Sequence, residues 1–219
     1  MEHKMKLLIL AANGQIARIV EQRVLTEDAF KDVQLTLGLR NSQRLAQLAD
    51  NPRVRLVDVD LTSAKDVADA MVGQDIVFVA VVDHGSDNAM TKNVVSAART
   101  NGTRVIATNI LGIYNEVPGE FGRWNLEMVK SGLQAAVAAD ELLANSGLDF
   151  TTLRLPWLND RDDVKYTITS RDEPFVGVSG SRQSVADVVL RIVADPTFAI
   201  NDSIGLADPD TEDLARPVY

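Results

Sequence analysis

The sequence predicts an α/β protein built on a doubly wound parallel sheet, with a small C-terminal annex. Three observations carry this. Apolar runs alternate with segments of helical period along most of the chain. A tight Asn-Gly turn follows the first run. The fourth run, DIVFVAVV at residues 75–82, is apolar throughout, as expected of a strand covered on both faces.

The elements follow in order. Residues 6–12 form the first strand, and Ile16, Ile19, Val20 and Val24 recur at helical spacing behind it. Val33, Leu35, Leu37 and Leu39 alternate with smaller or polar residues in a second strand, followed by a short helix with Leu45, Leu48 and Ala49. Residues 53–59 are a third strand, and Ser63 is placed to cap a helix bearing Val67, Ala70 and Met71. After the fourth strand, a helix over residues 88–99 is stopped by Asn101-Gly102 before a fifth strand at 104–108. Residues 112–125, with Pro118, three glycines and Trp124, lack a clean period and read as a long loop or broken helix. A helix at 133–144, a sixth strand at 150–155 and a last helix at 184–194 complete the pattern. The whole of 1–219 is expected to be one domain, with 157–219 a less regular annex completing the substrate side of the cleft.

Composition narrows the function. The 219 residues are 46% hydrophobic and 24% charged, enough for a sizeable core. No apolar stretch approaches the roughly 20 residues of a membrane helix, and residues 1–6 leave no room for a signal peptide, so a cytoplasmic protein without a membrane partner is expected. Cysteine is absent, which excludes thiol chemistry. The net charge of −9, with no Lys/Arg-rich run, argues against nucleic acid as a direct partner. A small anion remains admissible, because a few backbone amides and one arginine bind phosphate locally.

The turn AANGQIA keeps only the second glycine of a dinucleotide-binding turn, Gly14, where the backbone must approach a pyrophosphate. Ala17 still permits close helix packing, and Ala11 in the first position asks the strand end for a conformation open to ordinary residues. Read alone, the turn fits either a phosphate cradle or a plain strand-to-helix connection. At the end of the second strand, where an acid would hold the ribose hydroxyls of NAD, stands Arg40, with Asn41 and Ser42 beside it and Arg44 close by. A guanidinium there suits the 2'-phosphate of NADP.

Taken together, AANGQIA, LRN, VDVDLT, ILGIYNEVPGEFGRWN and LDFTTLRLPWL resemble the atypical short-chain dehydrogenase/reductases, the NmrA-like NAD(P)-binding family, over nearly the whole chain. The resemblance implies a Rossmann fold with NADP(H) as cofactor, with NAD(H) as the alternative. It places Ala12, Asn13, Gly14, Gln15 and Ile16 near the pyrophosphate, Arg40 and Asn41 near the 2'-phosphate, and Asp60 and Leu61 near adenine. Val81, Val82, Thr108 and Pro156 would line the nicotinamide side. Departures fall on that side: Val82 stands where members often have glycine, Thr108 and Asn109 where they have serines, and Arg154-Leu155-Pro156 replaces an arginine-proline pair, implying a shifted backbone path.

Catalysis is less well marked. Many members of the superfamily use a tyrosine with a lysine one helical turn later, but Tyr114 is followed four residues on by Pro118, Tyr166 by Ser170, and Tyr219 ends the chain. Thr108, at the usual serine position, and Tyr114 are the catalytic candidates. Without a lysine, the Tyr114 phenol is expected near its ordinary value of about 10; its plainer reading is packing against Trp124. His3 lies in the amino-terminal tail. His84 with Asp83 and Asp87 forms a cluster too local to read as a metal site, so no metal is expected. Two functions fit: an NADP(H)-dependent oxidoreductase acting on a small carbonyl or quinone-like compound, or a non-catalytic redox sensor that regulates a protein partner.

Overall fold

The computed structural model describes residues 4–219; His3 and the start of the amino-terminal segment lie outside the described residues. An eight-stranded sheet runs in the order β3-β2-β1-β4-β5-β6-β10-β8. Its strands are β1 (Lys6–Leu10), β2 (Gln34–Leu39), β3 (Val54–Asp58), β4 (Ile76–Val79), β5 (Arg104–Ile110), β6 (Phe150–Leu155), β8 (Thr167–Thr169) and β10 (Asp202–Ala207). Every pairing is parallel except that of β8 with β10. A separate parallel pair joins β7 (Trp157–Asn159) to β9 (Ser179–Ser181).

Five helices cover the sheet: α1 (Gln15–Thr26), α2 (Ala64–Met71), α3 (Ala89–Asn101), α4 (Gly119–Ala144) and α5 (Arg182–Ala194). One core joins α1 and α5 to the sheet through Val20, Val24, Val185, Val188 and Val189. The other joins α2, α3 and the end of α4 through Val67, Met71, Val94, Ala98 and Leu143. Burial on both faces explains why Leu7, Leu8, Ile9 and Leu10 of β1 are all wholly inaccessible and why its sequence does not alternate.

Local signals set the boundaries as expected in several places. Ser63 accepts from the Asp66 amide at the start of α2, and Gly102 ends α3 at φ 68°. Strand β4 stops three residues before the apolar run does, and beyond it Ala80 and Val81 form the floor of a cleft. The segment after β2 is a 3-10 stretch, Ser42–Leu48, kinked at Leu45 rather than a regular helix. Residues 112–125, read as a long loop or broken helix, divide at Pro118: 112–118 are irregular, and α4 begins unbroken at Gly119 and runs 26 residues. Its early glycines misread as breakers. A Cβ at Gly122 would lie 2.0 Å from the Val117 carbonyl oxygen, so glycine there admits the incoming chain. Residues 157–219 supply β8 and β10 to the main sheet, α5 to its helical layer, and the small β7–β9 pair.

Ala11 departs from expectation. It sits at φ 59°, in the left-handed region, instead of the ordinary conformation read for it. That region costs a non-glycine residue roughly 1–2 kcal/mol, while glycine gives back about 0.4–1 kcal/mol through the unfolded chain. Ala11→Gly is therefore expected to stabilise the fold by roughly 0.5–1 kcal/mol. Urea denaturation checks this, and an unchanged or lower midpoint would contradict it.

Candidate functional site

The sheet's order reverses at β1, which has β2 on one side and β4 on the other. At such a switch point the connections leave in opposite directions and open a crevice at the carboxyl ends of the strands. A cleft of about 520 Å³ lies there. Asn13, Gly14, Arg40, Asn41, Asp60, Leu61 and Val81, all sequence candidates, line it.

Its first wall is the β1–α1 turn. The Gly14 amide donates to the Ala11 carbonyl at 3.0 Å, and Arg18 donates to the Asn13 side chain at 3.3 Å. Gly14 has φ −68° and ψ 155°, which any residue adopts. A Cβ there would meet only the carbonyls of Ala11 at 3.4 Å and Ala80 at 3.7 Å. The fold therefore does not need glycine at this position, and its absent side chain leaves the backbone open to the cleft. Beyond it, α1 presents its amino terminus with no side-chain cap, leaving helix amides and the positive end of the dipole for an anion.

The second wall follows β2 and β3. Arg40 is exposed at the end of β2, and Arg44 lines the same cleft. The loop between them is fixed by Ser42, whose amide donates to Asp58 at 2.8 Å. Asp60 accepts from the backbone amide and hydroxyl of Thr62, which hold its carboxylate below the usual range, with Arg40 adding a smaller pull in the same direction. Met90 of α3, with Leu39 and Val59 at the ends of their strands, supplies apolar surface. None of the three is a sequence candidate; for Leu39 and Val59 the position at a carboxyl strand end was the available signal, whereas Met90 lies in the first turn of α3.

Other candidates lie off the cleft lining. Ala12 is fully buried in the core, its amide bonded to the Gly38 carbonyl. Gln15 and Ile16 open α1. Val82 follows the cleft floor. Thr108 is buried, donates to the Val79 carbonyl at 3.1 Å, and lines a small enclosed cavity with Val81 and Asn109. Pro156, between β6 and β7, packs where a Cβ on Gly180 would come within 2.9 Å. Asn109 donates to the Ala136 carbonyl of α4 at 2.9 Å.

Tyr114 differs from both sequence readings. Trp124 stacks with Phe121 and lies tilted against Trp157, not against Tyr114. The Tyr114 hydroxyl instead donates to Asp140 of α4, and its ring lies 5.4 Å from the Arg154 guanidinium. Burial first, then the Asp140 hydrogen bond, push the phenol up to about 12 instead of leaving it near 10. Asp83 is occupied by the amides of Gly85 and Thr91 and the Thr91 hydroxyl, and Asp87 by the Ala89 amide, so both shape the approach to α3. Among the described residues no group of three or more His, Cys, Asp or Glu is arranged for a metal, and no helix is long and apolar enough to cross a membrane.

A glycine-bearing turn at the switch point, an uncapped helix terminus facing it and a guanidinium at the end of the second strand define a dinucleotide-binding Rossmann protein. The chain belongs to the NAD(P)H-binding family, whose model matches residues 11–196, and it is built like the short-chain dehydrogenase/reductases. A Veillonella parvula short-chain dehydrogenase/reductase superposes with a TM-score of 0.88 at 26% identity over 99% of this chain and 100% of that one. The same organism's enzyme in complex with NADP gives 0.88 at 26% identity over 98% and 99%. A Rossmann-fold NAD(P)-binding family protein from Shigella flexneri is 30% identical over 99% and 100%, with a TM-score of 0.76. No curated protein matches the chain.

Proposed function

We propose that this protein is an NADP(H)-dependent oxidoreductase acting on a small carbonyl or quinone-like compound. The observation that carries the cofactor preference is the pair Arg40 and Arg44 on the cleft wall where an acid would otherwise hold the ribose of NAD. In this reading Ala12, Asn13, Gly14, Gln15 and Ile16 hold the pyrophosphate through the turn and the α1 amino terminus, while Asp60 and Leu61 border adenine. Val81, Val82, Thr108 and Pro156 border the nicotinamide, which supplies the hydride when bound. The Veillonella parvula relative's complex with NADP supports NADP(H) as the cofactor.

The protein's part is chiefly orientation. Thr108 can still accept a hydrogen bond while donating to Val79, and Tyr114, with its proton held toward Asp140, is a weak acid at neutral pH. That geometry favours a second reading, a dinucleotide-dependent sensor acting through a protein partner. NADPH oxidation against a panel of aldehydes and quinones separates the two: turnover supports the oxidoreductase, and tight binding without turnover supports the sensor.

Arg40→Asp is expected to reverse the cofactor preference. A charge-assisted contact to the 2'-phosphate contributes about 1.5–3 kcal/mol, roughly ten- to a hundredfold in affinity. Calorimetric titration with both cofactors measures it; equal affinities in the unaltered protein would remove the basis for NADP selectivity.

A further inference from the structure

Helix α1 buries one stripe, and that stripe is not wholly apolar: Ala17, Val20, Glu21 and Val24. Glu21 is 4% exposed, and its Oε2 is buried without a hydrogen-bond partner. The core around the stripe is aliphatic, formed with Val185, Val188, Val189 and Ile192 of α5 and the strands beneath. A carboxylate in such a place loses its hydration and gains little in return.

We propose that Glu21 is a protonation switch that couples the dinucleotide affinity of the β1–α1 turn to pH. The proposal rests on the cofactor seating at that turn. Gly14 and Glu21 are seven residues apart, roughly 10 Å along the helix axis at 1.5 Å per residue. Between them lies the protein interior, where a charge is felt much farther than in water. An ionised Glu21 therefore repels the pyrophosphate and offsets part of the helix dipole that attracts it. The neutral form does neither.

Charges on the surrounding elements leave Glu21 little compensation. On α1 itself, Arg18 partly offsets burial, whereas Arg23 is paired with Glu27 and Asp187. On α5, Asp187 also accepts from Tyr166, Arg182 pairs with Asp160, and Arg191 lies over the Phe198 ring. Arg53 donates to carbonyls at the far end of α1, and Asp28, in the 3-10 turn that follows, is exposed. Burial pushes the Glu21 carboxyl up from the usual carboxylate range to about 7.

The sign follows from this. Because the folded value is raised, the neutral form is favoured in the fold, and stability falls as pH rises from the ordinary carboxylate range through about 7. Cofactor charge raises Glu21 further, so binding takes up a proton near neutrality, and affinity falls as pH rises. The 2'-phosphate of NADPH has its own titration near 6, whereas NADH lacks that group and isolates the protein's contribution.

Calorimetric titrations of NADH and NADPH from about pH 6 to about pH 8.5, in buffers of different ionisation enthalpy, test the coupling. For the unaltered protein, NADH affinity is expected to fall about five- to tenfold across this range, with proton uptake at neutrality. Glu21→Gln and Glu21→Met should each bind with little pH dependence and no uptake; two variants of different polarity guard against one failing to fold. Equal pH slopes in the unaltered protein and both variants would overturn the switch while leaving the cofactor reading intact. Absence of NADH and NADPH binding at every pH would overturn the cofactor reading and the switch with it.

Discussion

Replacing Arg154 by Ala is expected to cost about 3–5 kcal/mol of stability, the penalty for stranding one partner of a buried ion pair. Arg154 is wholly inaccessible, and its Nη1 lies 2.9 Å from Glu116, itself buried. Its Nη2 donates to the carbonyls of Thr169, Ser170 and Ser203 at 3.2, 2.8 and 3.0 Å. One guanidinium thus ties β6 to β8, to β10 and to the loop after β5. Gly205 stands opposite Arg154 in the ladder, where a Cβ would come within 2.6 Å of the Phe175 ring. Glu116 completes the lock by accepting from the amides of Gly112 and Tyr114 at 3.1 and 3.0 Å. Urea denaturation should show the loss, and hydrogen exchange should show residues 112–116 opening first. Pairing Arg154→Met with Glu116→Gln should recover part of the stability by removing the stranded charge. A loss below about 1 kcal/mol for Arg154→Ala would mean that the pair is dispensable.

Gly14→Val is expected to abolish cofactor binding, more than a hundredfold in affinity or about 2.7 kcal/mol, while the fold persists. The backbone of Gly14 is ordinary and a Cβ clears its neighbours, so the added bulk projects toward the cleft that the ligand must enter. Gly14→Ala should give an intermediate loss. Thermal melts establish that the variants are folded, and calorimetry with NADPH reads the affinity. Unchanged binding by the valine variant would place the pyrophosphate elsewhere.

The two substitutions separate what is local from what is not. Gly14 and Arg40 could be placed on the cleft from sequence because a strand-to-helix turn and a strand-end residue are fixed by their immediate backbone positions. Period and composition likewise identified the parallel sheet, since full burial of β1 and β4 requires unbroken apolar runs. Ser63 and Gly102 announced helix ends for the same local reason. Failure came where a residue's meaning depended on distant chain. The glycines before Trp124 signalled a loop, and only the approach of Val117 explains why a helix tolerates Gly122. Ala11 gave no sign of its left-handed backbone, because the surrounding sheet and helix impose it.

What the sequence by itself determined was the alternation of strands and helices, the glycine-bearing turn after β1 and the absence of a tyrosine-lysine pair, all properties of neighbours along the chain. Tertiary structure alone decided that Tyr114 turns to Asp140, that Arg154 is buried against Glu116, and that Glu21 of α1 is buried with its Oε2 lacking a hydrogen-bond partner. The physical reason is that a charge or a hydroxyl takes its chemistry from burial and from the groups facing it. In this sheet those groups come from segments tens of residues away.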